Sequence, residues 1–518
     1  MYERIRKLAE KRHDGQFREA RPGEIPVPYI EHPKAVVKNL LAWGEPESSP
    51  APGIAWGHDL LEDTSATLPE ILAASDEAVA DGIRLLTCEE GTDKPTYLRN
   101  IARSGCREAL LTKISDRIQN TRDFISLEGP LRAFRYLHQA DCIFEAVRKL
   151  PSDDVLTKAL AAWRELDESL RKDACHDAVR GCLLGGAVGD ALGSPVEFLD
   201  LRSIRSLYGE KGVSSFVEFS DGTGAITDDT QMTLFTAEGI LRGHTRSMER
   251  GICDPVTVMR HAYLRWLKTQ NGCVPPLDLP EVLTSGLLIK EKPLFSRRAP
   301  GVTCISSLEN RAPSEKAGNN SKGCGTVMRM APAGLFFDDP VLAYEYGCKF
   351  SAITHGHPTG ITAGGAFAML IAELLAGKTP DDALEIVLAF LEEKSEAAET
   401  AAALRKVRTA GDISELGEGW VAEEALAMGM FCALKYTFDF RSGVLAAVNI
   451  SGDSDSVGAV AGNLLGVING ESAIPAEWLA HLREREIVSR IADDLWMRFE
   501  ADAEGHVTES WWEKYPGF

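Results

Sequence analysis

Hydrophobic positions recur along this chain at helical intervals, and no series of alternating strands followed by crossover helices interrupts them. Between 155 and 170, Val155, Ala159, Trp163, Leu166 and Leu170 share one helical face, which predicts an amphipathic connector packed against its neighbours. Residues 365–375 and 382–393 also read as helices. The first 150 residues read as short helices separated by breaks at RPGEIPVPYI (21–30) and GEPESSPAPG (44–53), where prolines and serines predict loops. A new texture begins near His176. GCLLGGAVGDALGSPVEF interleaves Gly and Ala with Leu and Val, predicting helices that approach closely and carry carboxylates at their ends. A doubly wound sheet is therefore disfavoured and the expected fold is all-α. The expected division is a helical domain at 1–155, a connector at 156–175, a larger helical domain at 176–483, and a C-terminal extension at 484–518. That extension, aromatic at Trp496, Trp511 and Trp512, is expected to pack back on the body. No repeat of fixed period is present.

Composition narrows the function. Apolar residues make up 44% of 518 residues, enough for two or three cores. A formal charge of −21 opposes nonspecific adhesion to nucleic acid, because phosphates need cationic side chains to displace counterions. It leaves small anionic substrates open, since bound metals reverse the sign locally. Eleven scattered cysteines without a CxxC read as packed thiols. No uncharged apolar run of membrane-spanning length and no secretory signal core is seen, so no membrane partner and a cytoplasmic location are expected.

Two acidic segments carry candidate chemistry. GAITDDTQMTLF places Thr227, Asp228 and Asp229 ahead of one apolar helical pattern, and NISGDSDSVGAV places Asp453, Asp455 and Ser456 ahead of another. Either alone is a plain helix cap. Together they put at least four carboxylates on helix starts, and if the fold joins them their repulsion calls for hard divalent cations, which accept carboxylate and hydroxyl oxygens. No convergent His/Cys set points to structural zinc there. GDALGSPVEF adds Asp190 and Glu197. NNSKGCGTVMRMAP adds Gly323, Gly325 and Arg329, whose small neighbours suit a backbone path against a diphosphate. Lys322 reads equally well as a solvated lysine.

These blocks, with THGHPTG, closely resemble the ADP-ribosylglycohydrolase family over roughly 176–480. The resemblance implies an all-helical domain with two Mg2+ (or Mn2+) ions held by Thr227, Asp228, Asp229, Asp453, Asp455 and Ser456. Serine replaces a frequent threonine at 456, and its hydroxyl still ligates. Glu197 matches the family's flexible, catalytic glutamate, and Asp190, Gly323, Gly325 and Arg329 are the implied substrate contacts. The implied reaction holds the distal ribose hydroxyls on the ions and cleaves at the anomeric carbon, releasing ADP-ribose from a protein, nucleic acid or small-molecule acceptor.

The N-terminal region carries a different set. YIEHPKAVV, WGHDLLEDT and LLTKISDRIQNTRD supply His32, His58, Asp59 and Asp116, a mixed N/O set suited to a divalent transition ion such as Mn2+. A buried His bonded to its neighbouring Asp is the blander reading of His58–Asp59. Glu62 and Asp63, one turn on, tilt the balance because both can orient a metal-bound water. With HDGQFR and DGIRLLT, the region resembles HD-domain hydrolases of the RelA/SpoT type over roughly 5–150. That resemblance implies one Mn2+ or similar ion on His32, His58, Asp59 and Asp116, an acid/base pair in Glu62 and Asp63, and contacts to a purine nucleotide, (p)ppGpp-like, from Arg18, Lys113 and Asn120. An insertion around 20–26 and the loop at 44–53 depart from the resembled pattern and leave the nucleotide open. The alternatives to a bifunctional hydrolase are an ADP-ribose-binding module and a single-activity enzyme with a regulatory HD domain.

Overall fold

The computed structural model describes residues 2–20, 25–89, 91–219, 222–271, 280–309 and 316–518. Residues 21–24 of the first Pro-rich break and Cys273 lie outside them. Among the described residues the regular structure is helical apart from a two-residue antiparallel pairing of Glu218–Phe219 with Gly222–Thr223 and a few isolated bridges. It divides into two compact units, Met1–Ala174 and Cys175–Phe518.

In the first unit the Arg107–Glu128 helix is central, burying Leu110, Leu111, Ile114 and Ile118 against the Glu31–Trp43 and Pro50–Gly57 helices. The expected loop at 44–53 is shorter than its composition implied. Ser49 caps a helix that begins at Pro50, its side chain accepting from the Ala51 N–H at 3.2 Å. A proline at the first helical position loses no hydrogen bond and brings a preset φ, so it starts this helix rather than preventing it. Gly57 allows the close approach that follows, since a Cβ there would lie 2.4 Å from Ile83 Cδ1. The connector face is core: Ala159, Trp163, Leu166 and Leu170 are buried in this unit. They lie on a single helix of 40 residues, Asp154–Gly193.

In the second unit the Asp228–Arg250 helix pairs with Pro255–Asn271, Pro340–Ser351 with Pro358–Leu375, and Ala422–Lys435 with Ser454–Asn469. The close approach read from the Gly/Ala spacing is met between the end of Asp154–Gly193 and Ser454–Asn469. A Cβ on Gly189 would lie 1.9 Å from the Gly458 carbonyl oxygen, and one on Gly185 2.3 Å from that of Gly462. Pro358–Leu375 is, among the described residues, the one helix long and apolar enough to cross a membrane, but 83% of it is buried inside the protein. Beyond residue 484, the Arg485–Met497 helix buries Val488, Ile491 and Leu495, and fully buried Trp511 donates its indole N–H to Thr245 Oγ1 at 3.0 Å. The ten described cysteines form no disulfide.

Candidate active site and a second ligand cluster

The acidic segments that lie far apart in sequence meet in the second unit. Thr227 caps the Asp228–Arg250 helix, its hydroxyl accepting from the Asp229 N–H at 3.3 Å. Asp453 caps Ser454–Asn469, and the Ser456 N–H is shared between Asp453 Oδ1 at 3.3 Å and Asp455 Oδ1 at 2.9 Å. Glu197, at the end of the Ser194–Val196 turn, brings a carboxylate oxygen within 4.8 Å of those of Asp453 and Asp455. Burial, then repulsion by Asp453, Asp228 and Asp190, pushes Glu197 up to about 8. Burial also takes Asp228 to about 8, against the Gly301 N–H that it accepts at 3.2 Å. Asp229 and Asp455 are displaced well above the carboxylate range for the same reasons. Two oxygens, Asp229 Oδ2 and Asp453 Oδ2, are buried without any partner. Orphaned carboxylate oxygens among mutually repelling acids, with hydroxyls beside them, fit hard divalent cations.

The first unit gathers its four expected ligands as well. His32 Nε2 lies 3.3 Å from His58 Nε2 and 3.1 Å from Asp116 Oδ1, and His58 Nε2 lies 3.1 Å from Asp59 Oδ2. His58 Nδ1 faces the Ala55 carbonyl at 2.8 Å, an outer bond that turns Nε2 toward the centre. Burial alone would lower His58, but Asp59 and Asp116 outweigh it and raise it to about 9. Asp116 is held well below its usual value despite burial, first by Lys113 and then by the two histidines. Lys113 Nζ donates to Asp116 Oδ2 at 2.8 Å, Asn120 Nδ2 to Asp116 Oδ1 at 2.6 Å, and Arg18 to Asn120 Oδ1 at 2.8 Å. These three expected substrate contacts are thus engaged in holding Asp116 in place. Tyr29 OH bridges Asp59 and Asp63, tying Asp63 to the cluster, whereas Glu62 turns to the Cys88 backbone N–H.

The sequence model of the ADP-ribosylglycohydrolase family matches residues 171–505, well over half of the chain. The chain belongs to the ADP-ribosylglycohydrolase family. With that membership it is a hydrolase of the ADP-ribosyl class. A protein of Archaeoglobus fulgidus is 31% identical over 62% of this chain and 96% of its own length. The ADP-ribosyl-[dinitrogen reductase] glycohydrolase of Rhodospirillum rubrum is 28% identical over 60% of this chain and 93% of its own. A solved structure described as a metazoan ortholog of SpoT that hydrolyses ppGpp covers 32% of this chain and 94% of its own, with 23% identity and a TM-score of 0.28.

Two expected substrate contacts, Asp190 and Arg329, are turned into the protein in this fold. Asp190 is fully buried and its oxygens are consumed by the Thr227 N–H at 3.0 Å, the Thr230 N–H at 3.1 Å and the Thr230 hydroxyl. It braces the turn that presents Asp228. Arg329 is equally buried, donating to Thr354 Oγ1 at 2.6 Å with its guanidinium 4.4 Å from the Tyr263 ring. Its loop winds inward as the Cys324–Arg329 turn, which encloses the guanidinium in the core. Gly323 keeps ordinary clearance, whereas a Cβ on Gly325 would press on Cys304 Sγ at 3.0 Å. Lys322 is engaged by Glu423 and by Glu399.

Sequence reasoning missed several neighbours of the site. The Cys324 thiol adjoins the cluster, and burial, then the charges of Asp453 and Asp229, hold it well above its usual value. Exposed Phe198 stacks on Trp420 with ring centroids 5.8 Å apart. Residues 296–299 share with Glu197 and Thr227 the wall of a cavity of about 400 Å3. Phe198 at least adjoins Glu197 in sequence; Trp420 and 296–299 carried no signal, being brought in from distant segments.

Proposed function

We propose that residues 171–505 release ADP-ribose from a modified protein side chain, with two magnesium or manganese ions held by Thr227, Asp228, Asp229, Asp453, Asp455 and Ser456. The observation that carries this reading is the pair of orphaned, buried oxygens on Asp229 and Asp453, one from each acidic segment. Divalent ions bound there supply charge neutralisation and Lewis-acid polarisation of the oxygens they hold. Glu197 does the proton work. It stands between the carboxylate cluster and the cavity that it lines with Thr227. As the bond from the anomeric carbon to the acceptor breaks and a water oxygen bonds to that carbon, Glu197, ionised once cations offset its acidic neighbours, takes the water's proton and passes it to the departing acceptor, so the proton count closes. Thr227, Asp229 and Asp453 remain fixed throughout on their helix starts, so little reorganisation accompanies charge development. A protein acceptor is proposed because the Rhodospirillum rubrum relative is named for one. The test is chromatographic detection of free ADP-ribose from a panel of arginine- and serine-linked ADP-ribosylated proteins and peptides, with Asp228→Ala as control. A folded, metal-loaded chain that binds ADP-ribose and releases none from any of them would be a binding module.

A second reading applies to the first unit, on the convergence of His32, His58, Asp59 and Asp116. This cluster holds one manganese-like ion and hydrolyses a phosphate or pyrophosphate ester of a purine nucleotide, with Asp63 oriented by Tyr29 beside it. A manganese-supplemented product screen of the full chain carrying Asp228→Ala, against guanosine and adenosine 3′-diphosphates, tests it. If no nucleotide is consumed, the HD-type unit is regulatory.

A further inference from the structure

The peptide just before Thr227 is gripped from a part of the chain nearly 260 residues away in sequence. Glu484 is buried, with its side chain fully enclosed, and Arg298 pairs with it at 3.1 Å with only 10% of its own side chain exposed. Glu484 Oε2 accepts the Ile226 N–H at 3.3 Å, while Arg298 Nη1 donates to the Ile226 carbonyl at 2.8 Å. The ion pair therefore holds both polar groups of one residue. Arg298 continues the grip through its backbone, its carbonyl accepting the Asp228 N–H at 3.2 Å, and three residues later the Gly301 N–H reaches Asp228 Oδ2 at 3.2 Å. Between them Ala299 stands at φ +49°, a left-handed conformation that a non-glycine residue adopts only under strain. Strain of that kind persists where the surroundings over-determine a segment.

A buried ion pair is a poor device for stability, because its desolvation cost offsets most of its attraction, and an apolar pair of similar volume serves as well. What the guanidinium–carboxylate fork adds is direction. We propose that Arg298 and Glu484 are positioning residues that set the Thr227–Asp228–Asp229 turn at the spacing that divalent cations require. The proposal rests on the reading of those residues as metal ligands. Glu484 is fully enclosed, and Arg298, though it borders the cavity, spends its guanidinium on Glu484 and the Ile226 carbonyl; both act through Ile226 and Asp228.

The test is Mn2+ binding by titration calorimetry on the full chain in a His58→Ala background, so that the isotherm reports the second unit. Asp455→Ala is the control for the ligand reading, and it should abolish binding; retention there overturns that reading whatever the clamp does. The double variant Arg298→Met/Glu484→Gln removes both charges together and leaves neither uncompensated. It is expected to keep the wild-type far-ultraviolet circular dichroism and bind Mn2+ about 10–100-fold more weakly, the range for losing partners that orient a metal's ligands. Arg298→Lys keeps the charge but not the planar fork and should fall between the two. Wild-type affinity in the folded double variant overturns the proposal. If the double variant does not fold, Arg298→Lys decides: wild-type affinity, or failure to fold there too, assigns the pair to the fold and not to the site.

Discussion

The two ligand clusters treat buried charge in opposite ways. In the first unit, His32, His58, Asp59, Asp116 and Lys113 already pair with one another, and the shifts run toward the charged forms: His58 up to about 9, Asp116 down. In the second unit Glu197, Asp228, Asp229, Asp453 and Asp455 have no cation among them, and every shift runs toward the neutral form. A mixed imidazole–carboxylate set can balance itself before any ion arrives. An all-oxygen set cannot, so its working ionisation state depends on what it binds.

The sharpest break of that comparison is Asp228→Ala or Asp455→Ala. Each removes a carboxylate from a set whose charge only cations balance, and ADP-ribose release should fall by more than about 100-fold, the upper range for losing even an outer partner of a metal ligand. Turnover near normal in either variant, measured by release of free ADP-ribose, would contradict the assignment. His58→Ala should remove manganese binding and any nucleotide hydrolysis from the first unit while leaving ADP-ribose release unchanged; loss of both activities in a folded protein would mean that the two units are functionally coupled.

Metal removal separates the clusters more gently. Metal at about 100 times its Kd should stabilise the chain by about 2.7 kcal/mol per site, seen as a fall in Tm on chelation. The pH dependence has a defined sign. Glu197 and Asp228 rise from ordinary values of 4.5 and 3.8 to about 8 in the metal-free fold, so between those limits the folded state holds more protons than the unfolded one. Their contribution to stability is full below about pH 4 and is lost as pH rises through 8. Metal-free protein should therefore lose Tm relative to metal-loaded protein on going from pH 5 to pH 8; a gap that stays constant across that range would show the cluster to be balanced by other means. The smallest effect is expected from Arg329→Met. With its guanidinium bonded to Thr354 inside the core, its loss should cost about 1–3 kcal/mol of stability by denaturant unfolding and leave KM unchanged. A raised KM would return Arg329 to the substrate.

Helical character, the acidic segments and the His/Asp set were legible because each is written locally, in spacing and in residue type. The Gly/Ala run ahead of Glu197 foretold helices at backbone contact, and Gly189 against Gly458 is that contact. Prolines misled once: at 44–53 they lengthened a loop that ends at Ser49, because proline marks a helix start as readily as a break. Direction was harder. Asp190 and Arg329 sit inside the right motifs yet face the protein, and nothing in a linear motif says which way a buried side chain points.

The sequence by itself determined the chemistry available: which residues can ligate, that they sit at helix starts, and that two unlike sets occupy two stretches of the chain. Only the tertiary structure decided which oxygens remain without partners, which charges are already spent, and that Glu484 and Arg298 reach back to the turn before Asp228. Ligand identity is a property of single residues and short spacings. Partnership is a property of burial and of contacts between segments hundreds of residues apart, and no local pattern encodes it.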